Sequence, residues 1–255
     1  MIDGTGIPDS VLVFGAGSAI AQSLVSTLVD RGTTDVVLAA RRPLELEPWL
    51  DSLNAAHREI SIASVRFDAC DIAAHLGFLQ GVWSDKRRFD LVLVAFGVMG
   101  VTDAADPHDD AVTVATTNYL GGVSILRIVA TRMTAQGQGR VVVLSSAAAL
   151  LPRPGQAVYA SAKAGLDSYA RGLALELHGS GVDVTIVRPG FVHSPMTRGL
   201  TPAPYATTPD DVARDVIRGL ERGSAVVWSP PMVRFMTAAA RALPPPLYRR
   251  VMSGL

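Results

Sequence analysis

Short apolar runs alternate with segments of helical period along most of the chain, and few folds accept that pattern. Residues 11–14, 36–40, 60–67, 91–94, 140–144, 182–187 and 225–228 are strand-length and rich in apolar side chains, as strands inside a parallel sheet are. Helix-period segments at residues 19–30, 44–58, 72–86, 111–136, 158–179 and 209–221 separate them. Parallel strands need a crossover of a dozen or more residues, and segments of this length supply it. The pattern predicts an α/β chain with a doubly wound parallel sheet, three layers deep (αβα), over residues 1–230. A chain of 255 residues can bury one such core.

In sheets of this kind ligands bind beyond the carboxyl ends of the strands. The first such end is Gly15-Ala16-Gly17-Ser18-Ala19-Ile20-Ala21. A glycine turn between a strand and a helix lets backbone N–H groups and the helix dipole meet a dinucleotide pyrophosphate; the alternative is a tight turn with no ligand. After the second strand come Arg41 and Arg42, where a site for NAD tends to place an acid. A guanidinium there fits the 2′-phosphate of NADPH; the alternative is solvated arginines, with NADH as the cofactor. Asp68, after the third strand, is placed to accept from an adenine amino group or to cap the next helix.

Tyr159 and Lys163 lie four residues apart on a predicted helix, hence on one face. A phenol titrates near 10 and is a weak acid–base catalyst at neutral pH, and a fixed cation beside it lowers that value. Such a pair can give a proton to a carbonyl oxygen or take one from an alcohol. Ser146, thirteen residues upstream at a strand end, can hold that oxygen. Asn118 is either a buried structural amide or the holder of a water that relays protons to Lys163.

These residues together resemble the short-chain dehydrogenase/reductase family. They read Gly15-xxx-Ala19-Ile20-Ala21, Asp68, Asn118, Ser146, Tyr159-xxx-Lys163 and Pro189-Gly190, in order over residues 10–197. The resemblance implies a Rossmann fold, hydride transfer with NAD(P)(H) and a tetrad of Asn118, Ser146, Tyr159 and Lys163. Tyr159 would protonate the carbonyl oxygen and Ser146 orient it. Lys163 would hold the nicotinamide ribose and depress the Tyr159 pKa. Cofactor contacts would fall on Gly15, Gly17, Ser18, Ile20, Arg41, Asp68, Ala95, Gly97, Tyr159, Lys163, Pro189, Gly190 and Val192. The family also implies a homo-oligomer joined through the Asn118 and Tyr159 helices. Ala19 and Ala21 replace family glycines, Ser194 replaces a threonine, and Val94-Ala95-Phe96-Gly97 replaces an Asn-Asn-Ala-Gly loop that must be held some other way. One branch looks closer, through Val94-Ala95-Phe96-Gly97, residues 158–167, and Val227-Trp228-Ser229-Pro230 followed by Arg234-Phe235 and a proline-basic end. It reduces lipid-linked 2-keto pentofuranoses for cell-wall arabinan and works with a partner oxidase.

Composition narrows the alternatives. Lys+Arg and Asp+Glu are 23 each, so net charge is zero, which argues against a general nucleic-acid binder. The single cysteine, Cys70, excludes an internal disulfide framework. His57, His75, His108, His178 and His193 are scattered without metal-ligand spacing, so no metal is expected. Residues 1–8 carry no basic n-region, and no apolar run approaches the ~18 residues of a membrane span. A cytoplasmic protein is the expectation. Charged residues make up only 18%, which predicts a surface patch against a subunit or a lipid. From residue 223 to 255 there is no Asp or Glu, while Arg234, Arg241, Arg249 and Arg250 are basic. Residues 231–255 thus predict a basic amphipathic helix, either packed on the domain or lying peripherally on the plasma membrane.

Overall fold

Strand β1, Ser10–Phe14, shows how the layers form. Its side chains alternate: Val11 and Val13 face one apolar cluster, Leu12 and Phe14 the other. Period-two alternation in a strand covered on both faces makes every position apolar. The computed structural model describes residues 7–57, 59–84, 87–100 and 107–253. Around β1 stand β2 (Asp35–Ala40), β3 (Ser61–Arg66), β4 (Leu91–Val94), β5 (Gly139–Leu144), β6 (Val182–Pro189) and β7 (Val226–Ser229). Among the described residues they form one seven-stranded parallel sheet of order β3-β2-β1-β4-β5-β6-β7. The order reverses at β1, so the crevice between β1 and β4 is a switch point for ligand binding.

One face carries α1 (Ala19–Asp30), α2 (Glu47–Ala56) and α7 (Pro209–Glu221). Leu24, Val25 and Leu28 of α1 pack there with Val212, Val216 and Leu220 of α7. The other face carries α3 (His75–Val82), α5 (Gly122–Gln136) and α6 (Ala157–Glu176), through Leu79, Ile125, Leu126, Val129, Leu166 and Leu173. Each such side chain contributes roughly 1.5–3 kcal/mol on burial. Helix α7 starts with Thr208, whose hydroxyl accepts from Asp211 N while Asp211 Oδ2 accepts from Thr208 N, and Pro209 fills its first turn.

The expected element types are present, with local differences. The helix expected at 44–58 is a 3₁₀ turn, Pro43–Leu46, followed by α2; Arg58 lies outside the described residues. That expected at 72–86 is a 3₁₀ turn, Ile72–Ala74, and α3, with Lys86 outside. The long helix starts earlier than expected, as α4 (Pro107–Ala115), and reaches α5 through a π-helical turn, Thr116–Gly121. Joined, Pro107–Gln136 is long and apolar enough to cross a membrane by length and composition alone, though no unbroken apolar run of that length lies within it. Its residues Ile125, Leu126, Val129 and Met133 are buried in the second cluster.

The C-terminal segment is two helices rather than one, α8 (Met232–Arg241) and α9 (Pro245–Ser253), the second opening within the proline run. α8 buries Val233 and Thr237 and leaves Phe235 63% exposed. A Cβ on Gly190 would stand 3.0 Å from Val233 Cγ2. α8 therefore seats directly on the end of β6.

Candidate active site

Four strand ends and the start of α6 meet in one groove. Ser146 follows β5 in extended backbone and caps the 3₁₀ turn Ala147–Ala149, its Oγ accepting from Ala148 N at 3.1 Å. That bond uses a lone pair and leaves the hydroxyl hydrogen for an oxygen in the groove. Tyr159 and Lys163 both line it, as the four-residue spacing requires. The Ser146 hydroxyl is close enough to Tyr159 to favour its phenolate.

Lys163 is 4% exposed, and its Nζ donates to Leu144 O at 2.8 Å. Burial lowers its pKa to about 8. Burial raises the Tyr159 pKa, with the Ser146 hydrogen bond opposing. The sequence expectation of a depressed phenol is therefore corrected for this arrangement. Desolvation acts on both groups against their charged forms, and Lys163 is turned to a carbonyl.

Asn118 sits at the π-helical turn, fully buried. Its Oδ1 accepts from Val98 N at 2.9 Å, and its Nδ2 donates to Val98 O at 2.6 Å. The side chain thus holds the loop after β4, which answers how that loop dispenses with the family's amides. Phe96 adds packing, 6.0 Å from Phe67 between ring centres. A Cβ on Gly97 would lie 2.8 Å from Asn118 Oδ1 and 3.3 Å from Lys163 Nζ, so the close approach requires glycine there.

A second part of the groove runs over Gly15, Gly17, Ser18, Ala19 and Ile20 to Arg41, Arg42 and Asp68. It shares Ser18, Ile20, Ala95, Phe96, Gly97, Ser194 and Met196 with the first. Gly15 has φ 87°, and a Cβ there would meet Phe96 N at 2.3 Å. A Cβ on Gly17 would meet nothing within 4 Å, which leaves its backbone open to an approaching phosphate. Ala21 is in the core, so its methyl points away from that path. Arg42 pairs with Glu45 at 3.0 Å. Arg41 has no side-chain partner among the described residues and is the guanidinium left for a phosphate. Asp68 Oδ1 accepts from Cys70 N at 2.9 Å, an Asx turn; Asp71 is the cap of the following 3₁₀ turn, so Asp68 is not. These residues fit a nicotinamide dinucleotide.

Pro189, Gly190 and Val192 also line the groove. Beyond them residues 191–208, termed the lid segment, leave the sheet in a loop pinched at its base by Thr207 N to Phe191 O and His193 N to Thr207 O, both 2.9 Å. Ser194 and Thr197 cap a short turn within it, and Met196, Leu200, Ala203 and Pro204 face the groove.

Sequence reasoning missed a buried ion pair beneath the site. Asp167, 1% exposed, accepts from Ser145 Oγ and from Arg188 Nε and Nη2, each at 2.8 Å. Ser145 precedes Ser146 and Arg188 precedes Pro189, so one carboxylate ties α6 to the ends of β5 and β6. The signal was an aspartate four residues past Lys163, on the same helix face. Also missed were Arg153, Gln156 and Thr237, which line the groove near Tyr159.

Residues 9–204 match the family described as short chain dehydrogenase. An uncharacterized oxidoreductase of Streptomyces coelicolor is 43% identical over 98% of both chains. One of Mycobacterium tuberculosis is 41% identical over 94% of this chain and 96% of its own. A short-chain dehydrogenase of Burkholderia cenocepacia, solved in complex with NADP, superposes with TM-score 0.78 at 21% identity over 96% and 97% of the two chains. One of Sphingobium yanoikuyae, in complex with NADPH, gives 0.77 at 22% over 91% and 92%. Strand ends that gather a phosphate loop, a serine and a Tyr–Lys pair, with a match of this extent, make the chain a member of the short-chain dehydrogenase family, an oxidoreductase that uses a nicotinamide dinucleotide.

Proposed function

We propose that the protein is an NADPH-dependent ketoreductase acting on a hydrophobic carbonyl compound. The observation that carries this is the continuity of the phosphate-loop groove with an apolar cleft whose floor is Ser146, Tyr159 and Lys163. The nicotinamide supplies hydride to the carbonyl carbon. Ser146 donates to the carbonyl oxygen and fixes its position. Tyr159, held protonated by burial, gives that oxygen its proton. Lys163, its Nζ on Leu144 O, lines the same cleft and would hold the nicotinamide ribose. Met196 and Leu200 of the lid and Met236 of α8 exclude water from the reacting atoms. Arg41 would hold the 2′-phosphate of NADPH and so favour it over NADH.

The substrate proposed is a polyprenylphosphoryl 2-keto pentofuranose, reduced to the arabinose product for cell-wall arabinan. The support is the likeness in residues 158–167 and 227–235 to the reductase component of decaprenylphosphoryl-ribose 2′-epimerase. A partner oxidase would make the keto lipid. The exposed Phe235 and Met232, with the four arginines and no acid from residue 223 on, support peripheral contact with an anionic membrane that presents such a lipid. The apolar lining equally favours a second reading, another hydrophobic ketone such as a 3-oxoacyl or steroid compound.

NADPH oxidation measured against a panel of these three ketone classes separates the readings. Tyr159→Phe should cut turnover by about 10²–10⁴-fold and retain NADPH binding. Full activity in that variant refutes the proton donor. NADPH binding without turnover of any carbonyl would leave a dinucleotide-binding module instead.

A further inference from the structure

Two polar groups in the apolar cleft have nothing to bind. Arg153, on the loop between Ser146 and α6, is partly buried and lines the cleft. Its side chain makes no hydrogen bond or ion pair among the described residues, and no Asp or Glu lines the cleft with it. A guanidinium cannot shed its proton, so a partly buried one with no protein counter-charge keeps its donors for an anion that enters the cleft. Thr237 enters from α8, is 3% exposed, and its Oγ1 has no hydrogen-bond partner. A threonine inside a helix ordinarily bonds the carbonyl four residues back. This one does not, and an orphaned buried hydroxyl destabilises a fold. The remaining wall is aliphatic, with Leu151, Met196, Leu200 and Met236.

We infer that the carbonyl substrate carries an oxyanion, a phosphate or a carboxylate, seated on Arg153, with Thr237 Oγ1 donating to a substrate oxygen. This rests on the ketoreductase reading of the same cleft. It divides the substrate classes left open there. A phosphate-linked or carboxylate ketone pairs with the guanidinium and gives the Thr237 hydroxyl an acceptor; a neutral steroid ketone offers Arg153 no counter-charge.

The test uses NADPH with 2-octanone, 7-oxooctanoate and 7-oxooctyl phosphate, which share chain and ketone and differ in the terminal group. The full-length protein is expected to show kcat/KM at least tenfold higher for one anionic probe than for 2-octanone. Arg153→Met should reduce that ratio at least tenfold, and Arg153→Lys should recover part of it. The carboxylate and phosphate arms identify which oxyanion is preferred. Thr237→Val should raise KM for the preferred probe, with a Tm no lower than wild type. A wild-type ratio near one, or a ratio within twofold of wild type in Arg153→Met, overturns the inference. Thermal shift with the same probes separates its failure from that of the ketoreductase reading. An anionic probe that raises Tm in wild type but not in Arg153→Met supports the anion seat even without turnover. Equal shifts in the two proteins overturn it.

Discussion

Replacing Asp167 by asparagine keeps its shape and removes its charge. The carboxylate is 1% exposed and accepts from both Arg188 and Ser145, while Arg188 is itself only 11% exposed and lies 5.2 Å over the Trp228 ring. Arg171 also reaches Asp167 at 3.2 Å but is 56% exposed, so solvent screens most of its share. The penalty is the stranded Arg188 charge, roughly 3–5 kcal/mol for breaking a buried pair from one side. For a chain of this size that lowers Tm by about 6–20 °C. Guanidinium unfolding of Asp167→Asn measures it. The double change Asp167→Leu with Arg188→Met should recover most of the loss, because no charge is then left buried. The pH dependence has a definite sign. Burial raises the Asp167 pKa, but the Arg188 and Ser145 hydrogen bonds and the arginine charges outweigh it and bring the value below the ordinary 3.8. The stabilisation is therefore present above about pH 4 and lost as pH falls through the lower folded value. A loss under ~1 kcal/mol, or a double variant no more stable than the single one, would falsify the stranded-charge account.

Arg41→Ala should reduce the NADPH-over-NADH ratio of kcat/KM by about 10–100-fold, the worth of a charge-assisted phosphate contact; an unchanged ratio removes Arg41 from the cofactor site. Because the Lys163 pKa is lowered to about 8, kcat/KM for NADPH in reduction should fall as pH rises past about 8, and a profile flat to pH 10 contradicts that. The same shift has a stability sign: the unfolded lysine binds its proton more tightly, so stability rises between about pH 8 and 10.5. Phe235→Ser combined with Arg249→Glu and Arg250→Glu should weaken binding to phosphatidylserine vesicles at least tenfold, from about 1 kcal/mol per basic residue; undiminished binding rules out the membrane contact.

Strand ends explain how much of this was legible. A parallel strand must be apolar on both faces, so its limits show in the sequence, and the residue after it is committed to one edge of the sheet. Gly15, Arg41, Asp68, Ser146 and Gly190 lie one or two residues past such strands, and the fold gathers them in one groove. Tyr159 and Lys163 were legible for a related reason, since helical spacing alone puts them on one face. Their proton affinities were not. The sequence shows a cation near a phenol, but the sign of the shift depends on how deeply both are buried, and at these depths desolvation prevails. Asn118 shows the structural alternative of its sequence reading: from a π-helical turn both ends of its amide bond the Val98 backbone, a pairing that spacing along the chain does not reveal.

The substrate side has no comparable grammar. Arg153 sits in a loop, Thr237 in a helix more than seventy residues later, and the lid between them follows neither a two-residue nor a helical period. They meet because α8 docks on the end of β6, where Val233 presses on Gly190. That contact changes what the C-terminal segment is. Sequence alone leaves residues 231–255 as a helix either packed on the domain or lying on a membrane. With Val233, Met236 and Thr237 in the cleft wall, α8 belongs to the substrate site, and only its outward face, with Phe235, remains for a membrane. On the proposed reading, hydride chemistry belongs to strand ends and one helix face, whereas the choice of carbonyl belongs to the lid segment and a terminal helix packed from outside the sheet. Changes in those two elements can alter specificity while the Ser146, Tyr159 and Lys163 geometry stays fixed.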